Sequence, residues 1–212
     1  MIFAQAQAGT QQQSAETKRW ENSIYISAGP AIAYVNRNDV QDTGIKLDFV
    51  NSGFGVGKIL TNNRGLSLAR GQFEYVAEVE PFWLGRFPSQ VETTKQKDPV
   101  AYFHVSVKSL SFPGVSITPA ILRYRFTHGR RLTPFAQLGG GILLTVDEFP
   151  QAQTSKVNFT PQFGVGANLM TRRRQAVTLG VNAIHISNAG MGDRNPGVNI
   201  SVITRIGYTW WH

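Results

Sequence analysis

Between Val157 and Met170 the side chains alternate almost without exception. Val157, Phe159, Pro161, Phe163, Val165, Ala167 and Leu169 fall on one parity, and Asn158, Thr160, Gln162, Gly164, Gly166 and Asn168 on the other. Neighbouring side chains of an extended strand point to opposite faces, so a period of two marks a strand with one apolar and one polar face. The pattern recurs along the chain, and no segment carries a helical period. This constrains the chain to an all-β fold. Pro161 has no N–H to give to a ladder, so local irregularity is expected there.

Eight strands are expected, at about 23–35, 46–60, 66–84, 112–127, 132–146, 156–171, 175–188 and 198–211. The connections alternate in length. Brief ones lie at Thr61–Gly65, His128–Arg131 and Arg172–Arg174, and long ones cover about 36–45, 85–111, 147–155 and 189–197. An even strand number with short turns at one end and long loops at the other is the pattern of an outer-membrane barrel. Within the second long connection, Val100–Val107 reads either as a strand of its own or as an extension of a neighbour. Tyr208, Trp210 and Trp211 put aromatics near the end of the last strand, where a barrel carries its interfacial girdle. The predicted fold is thus an eight-stranded antiparallel transmembrane β-barrel. Residues 20–212 form one barrel domain in this reading, and residues 1–19 a disordered tail or signal-peptide remnant. Ala4-Gln5-Ala6 and Ala6-Gln7-Ala8 have the small-x-small form of a cleavage site, without the charged and apolar regions that normally precede one.

The polar faces support a barrel over a sandwich. Phe73, Tyr75, Ala77, Val79 and Trp83 share one face of the third strand, opposite Arg70, Gln72, Glu74, Glu78 and Glu80. Leu122, Tyr124 and Phe126 likewise oppose Arg123 and Arg125. Glu74, Glu78, Glu80, Arg123 and Arg125 can pair inside a small barrel, whereas in a sandwich core each unpaired charge is costly. Phe159, Phe163, Val165, Val177, Leu179 and Val181 are then expected to face lipid.

The formal charge is +8, which favours an anionic partner, either nucleic acid or a lipid surface. The cations collect at turns and form no run interleaved with aromatics, so nucleic acid is not expected. Cysteine is absent, which excludes disulfides and thiolate chemistry. No run of about 18 apolar residues exists to make a transmembrane helix. His104, His128 and His212 show no ligand spacing, so neither a metal nor a cofactor is expected.

Chemistry concentrates in His185-Ile186-Ser187-Asn188-Ala189-Gly190. His185 and Ser187, two apart on a strand, share a face with Val177, Leu179, Val181 and Ala183. Thr178, Gly180, Asn182, Ile184 and Ile186 face the other way. A base and a hydroxyl thus end an apolar stripe. In a soluble protein that stripe is core; in a membrane barrel it faces lipid, and the pair faces the lipid's head and ester region. Asn195-Pro196-Gly197 reads as a tight turn.

This His-x-Ser-Asn-Ala-Gly motif on the penultimate strand, with the loop and last strand that follow, resembles the PagL-type lipid A 3-O-deacylases (acyloxyacyl hydrolase-like) of Gram-negative outer membranes. The motif match covers about residues 175–212. The resemblance implies a Ser-His-Glu hydrolase facing the outer leaflet. It makes Ser187 the nucleophile and His185 the general base, with lipid A of lipopolysaccharide as the substrate. The family's acid falls fourteen residues after the histidine, and here that position is Asn199. An amide orients an imidazole but brings no charge to stabilise it. Asp193 is a nearby alternative acid. Val198, Ile200 and Val202 look lipid-facing, which turns Asn199 inward unless a bulge intervenes. Backbone amides near Asn188 and Gly190 are the candidate oxyanion donors.

The leading expectation is therefore an outer-membrane serine esterase acting on lipid A, as a monomer or a homodimer. One alternative is a non-catalytic barrel, structural or lipid-binding, that has lost the triad acid. A second is a soluble lipocalin-like barrel, against which the charged interior argues.

Overall fold

The computed structural model describes residues 20–34, 47–63, 65, 69–87, 91–95, 102–106, 110–127, 131–150, 154–193, 195 and 197–212, with backbone alone at 33–34, 87, 91–95, 102–106 and 110. The tail 1–19, the whole first long loop, His128 and Pro196 lie outside the described residues, as does the His104 side chain.

The alternating segments form strands β1 (Trp20–Tyr34), β2 (Asp48–Ile59), β3 (Gly71–Phe87), β4 (Val91–Lys95), β5 (Tyr102–Ser106), β6 (Leu110–Phe126), β7 (Leu132–Phe149), β8 (Ser155–Phe159), β9 (Gln162–Arg172), β10 (Gln175–Ile186) and β11 (Val198–Trp211). The strand interruption expected at Pro161 separates β8 from β9, which together make one wall position. The wall runs β1-β2-β3-β6-β7-β9-β10-β11 and returns to β1, with every pairing antiparallel, giving a closed eight-stranded barrel. Trp20 and His212 exchange backbone hydrogen bonds of 3.0 Å, so both ends of the wall meet at one rim. That rim carries the connections 60–70, 127–131 and 173–174 and is the periplasmic end by the outer-membrane pattern. Val100–Val107 contains a strand of its own, β5, which pairs with β4 as a separate hairpin. β3 begins at Gly71, later than the expected 66.

Outside, the barrel is apolar. Phe159, Phe163, Val165, Leu179 and Val181 are exposed as expected, as are Ile26 (61 %) and Leu138 (64 %). Val177 is half-buried on the same face. A continuous apolar wall of this extent requires lipid around it, and closure leaves no strand edge unsatisfied within the bilayer.

Inside, the lumen is filled in three layers. Its periplasmic floor is Ile59, Ala176 and Trp211. Its middle is ionic. Arg123 reaches Glu21 at 2.6 Å, Arg125 reaches Glu74 at 2.7 Å, and Arg205 reaches Glu78 at 2.6 Å, all with side chains nearly inaccessible. Asn51 and Tyr25 add hydrogen bonds to Glu80. The expected interior charges are thus all inside, and Glu21 and Arg205, which the sequence reading had not singled out, supply partners. A cavity of about 20 Å³ lies among Tyr25, Glu78, Arg123, Gln137, Asn182 and Arg205, with room for one water. The outer end is an apolar plug that includes Leu47, Phe49, Trp83, Phe149, Ile186 and Val198. Phe49 packs tilted and Phe149 edge-on against Trp83, with ring centroids 5.3 Å away in each case.

Three side chains differ from simple alternation. Trp83 points inward, not along the lipid face with Phe73 and Val79. The β3–β6 register slips between Glu80 and Trp83, where Pro81 lacks a ladder donor, and Pro81 and Phe82 both end up outside. Val198 is fully buried in the plug and does not face lipid, because the β10–β11 register slips between Ile184 and Ile186. Trp211 is not part of the outer girdle. It closes the floor, and its indole N–H donates to Glu21 Oε2 at 3.0 Å.

Candidate active site

The outer end of β10 is held from both sides. Towards β9 and β8, the His185 amide donates to the Pro161 carbonyl at 3.0 Å. Ser187 and Phe159 exchange backbone hydrogen bonds of 2.7 and 3.1 Å. The ladder therefore continues across the interruption at Thr160–Pro161, and the extended backbone carries Ser187 onto the same outward face as His185. Both are half-buried, at the end of the stripe through Leu179, Val181 and Ala183.

Towards β11 the ladder is bulged. Ile186 pairs with Val198, but Ile184 pairs with Ser201, so β11 spends one extra residue there. Val198 and Ser201 are buried while Asn199 and Ile200 between them are both exposed. The bulge resolves the tension in the sequence, since Asn199 lies on the outer surface beside His185. The contact it makes is a backbone one. His185 Nδ1 lies 3.1 Å from the Asn199 carbonyl oxygen. A carbonyl only accepts, so Nδ1 carries the proton and Nε2 is left with its lone pair, the form a general base requires.

After Ser187 the chain turns sharply. Ala189 and Gly190 both take positive φ, 51° and 83°. Asn188 is buried, and its Oδ1 accepts from the Gly190 amide at 2.9 Å while its carbonyl accepts from Met191 N at 3.0 Å. The Asn188 amide makes a longer contact, 3.3 Å, to Asn195 Oδ1. Two of the three amides in this turn are thus engaged internally. The Ala189 amide enters no hydrogen bond among the described residues. Asp193 is exposed on the loop, and no contact from it to His185 occurs.

Glycines dock this loop. A Cβ on Gly192 would lie 2.0 Å from the Thr154 carbonyl, so only glycine allows the loop to pack on the β7–β8 connection. Gly197, at φ +59°, sits with its Cα hydrogen towards Ile186 O and the Ser187 side chain. From sequence, 189–197 is a long connection that includes the Asn195-Pro196-Gly197 turn, with no packing role assigned to it. The Gly/Asn density of 188–197 was the available signal. Among the described residues, no group of three or more His, Cys, Asp or Glu is arranged to hold a metal.

Comparison with known proteins bears on the family and the fold. The family described as lipid A 3-O-deacylase (PagL) matches residues 74–209, more than half of the chain. The chain belongs to the PagL family. No curated protein matches it in sequence. Among solved structures it is similar to the outer membrane enzyme PagL. That match has 18% identity and a TM-score of 0.51, and covers 89% of this chain and 98% of that one. It is also similar to the outer membrane protein OprG from Pseudomonas aeruginosa, at 9% identity and a TM-score of 0.53, covering 92% of this chain and 96% of that one. At these identities the structures speak for the fold. A PagL-family barrel of this kind is an outer-membrane protein, and the resemblance seen in the sequence motif extends over the wall that carries it.

Proposed function

We propose that this chain is an outer-membrane esterase that removes an ester-linked acyl chain from lipid A, with Ser187 as nucleophile and His185 as base. The observation that carries the proposal is the hydrogen bond from His185 Nδ1 to the Asn199 carbonyl. It fixes the tautomer of an imidazole lying two residues from a hydroxyl, on the lipid-facing surface of a PagL-family barrel.

The steps follow from these groups. Ser187 Oγ attacks the acyl carbonyl carbon while His185 Nε2 takes its proton. The oxyanion needs a donor already in place; the expected donors, the Asn188 and Gly190 amides, are engaged on the Asn195 and Asn188 side chains, which leaves one amide of the turn for this role. The amide left free there is that of Ala189. The tetrahedral intermediate collapses, and the imidazolium returns the proton to the departing sugar oxygen. Water then attacks the acyl-enzyme, again giving a proton to His185; the bond to Ser187 Oγ breaks, His185 returns the proton to that oxygen, and the fatty acid leaves. With Asn199 in place of a carboxylate, the imidazolium is stabilised by a carbonyl dipole and not by a full charge, so slower turnover is expected.

The family description directs attention to the 3-O position. Lipid A from an outer membrane holding the wild-type chain should lose the mass of one ester-linked acyl group, while membranes holding Ser187→Ala should not. Intact lipid A in both would favour a non-catalytic, lipid-binding barrel, the reading that the missing carboxylate supports.

A further inference from the structure

Among the described residues, five exposed arginines gather at the rim opposite the proposed active site, while the exposed cations Arg86 and Lys156 lie at the other end. The Arg70 carbonyl accepts from Thr127 N at 2.8 Å, which sets it beside the end of β6. The Arg131 carbonyl accepts from Met170 N at 2.8 Å, and that of Arg174 from Trp211 N at 3.0 Å. These bonds link Arg70, Arg131, Arg172, Arg173 and Arg174 into one arc along the ends of β3, β6, β7, β9, β10 and β11. All five are exposed. The carboxylates nearest this end, Glu21 and Glu74, are buried and paired with Arg123 and Arg125. Among the described residues the exposed carboxylates, Asp48, Asp147, Glu148 and Asp193, all lie at the other end.

Outward rings mark the depth of the arc. Phe73 meets Tyr124 at 4.9 Å and Tyr124 meets Phe126 at 5.1 Å, one to three residues from the turns that carry Arg70 and Arg131. Tyr208 and Trp210 lie beside the arginine turn. Aromatics of this kind sit at the headgroup level of a bilayer. The guanidinium groups therefore lie where phosphates are.

We propose that this arc binds the phosphate of anionic glycerophospholipids in the periplasmic leaflet, the leaflet away from His185 and Ser187. Planar forked donors suit phosphate oxygens, and among the described residues no exposed carboxylate side chain lies beside the arc to oppose the attraction. The arginines of the arc then help to hold the barrel in this leaflet, from the end opposite His185 and Ser187.

The test uses the full chain in a zwitterionic detergent, titrated separately with phosphatidylglycerol and phosphatidylcholine, with bound lipid counted by native mass spectrometry. Phosphatidylglycerol should be retained at least about tenfold more strongly. Neutralising three arginines with R172Q/R173Q/R174Q should lower its retention by roughly tenfold or more. A separate R70Q/R131Q variant should show the same direction of loss, and Lys156→Gln at the opposite end should show none. Slower migration of boiled than unboiled protein checks that each variant is folded. Equal retention by the wild type and both arginine variants would overturn the proposal. So would an equal loss in Lys156→Gln, or displacement of the lipid by inorganic phosphate mole for mole.

Discussion

His185 donates from Nδ1 to the backbone carbonyl of Asn199, 3.1 Å away, across a bulge in the last strand. The group that orients the imidazole is thus supplied by the fold and not by the side chain at that position. Asn199→Ala should therefore keep deacylation within roughly threefold of wild type, because the carbonyl remains. Asn199→Glu adds a charge that favours the imidazolium and should raise the rate, by about tenfold. Deleting Ile200 removes the extra residue of the bulge and should lower the rate by about a hundredfold or more while the barrel still forms. Initial rates on purified lipid A, compared across the three variants, check this. An Asn199→Ala as inactive as the deletion would mean the amide side chain does the work.

Gly192 and Thr154 are packed so closely that a methyl group on the glycine would lie 2.0 Å from the Thr154 carbonyl. Gly192→Ala should push the loop after Ser187 off the β7–β8 connection. Deacylation should fall by roughly tenfold or more, with the unfolding midpoint of the barrel nearly unchanged, since the loop carries none of the wall. Parallel rate and urea-unfolding measurements separate the two effects.

Arg123 stands between Glu21 and Glu74, at 2.6 and 3.9 Å. Arg123→Met leaves both carboxylates short of a partner inside the lumen and should cost about 3–5 kcal/mol, read from equilibrium unfolding in detergent. Replacing exposed Lys156 by Met should leave stability within about 0.5 kcal/mol. Similar losses for both would mean the lumen is wet enough to solvate the carboxylates.

Trp83 and Phe82 are neighbours with opposite fates. Trp83→Ala opens a hole in the apolar plug and should cost about 3–5 kcal/mol. Phe82→Ala trims a lipid-facing ring and should cost under about 1.5 kcal/mol by the same unfolding measurement. The reverse ranking would place Trp83 on the outer wall, as plain alternation has it.

That comparison also marks what could be read from the chain. The barrel was legible because lipid outside and paired charge inside impose strict alternation, and β9 and β10 obey it residue by residue. Pro81 was a readable warning that β3 would slip, since a proline cannot serve a ladder, but the side to which Trp83 would turn was not readable. The bulge at Asn199–Ile200 carries no such warning. Its residues are ordinary for a strand, and nothing in them signals the slip that turns Val198 inward. Trp211 is similar, because an aromatic at a barrel rim suits the girdle and the floor equally well, and only Glu21 below its indole decides between them. The motif from His185 to Gly190 was legible as a site, whereas its orienting carbonyl, being backbone, has no signature in side chains.

The proposed nucleophile is Ser187, activated by the carbonyl-held His185. A long-chain alkyl fluorophosphonate, incubated with the folded barrel and mapped by peptide mass spectrometry, tests it most directly. A covalent adduct on Ser187 is expected, kept in Asn199→Ala and lost in His185→Ala. An unmodified Ser187 in the wild-type protein, or equal labelling with and without His185, would contradict it.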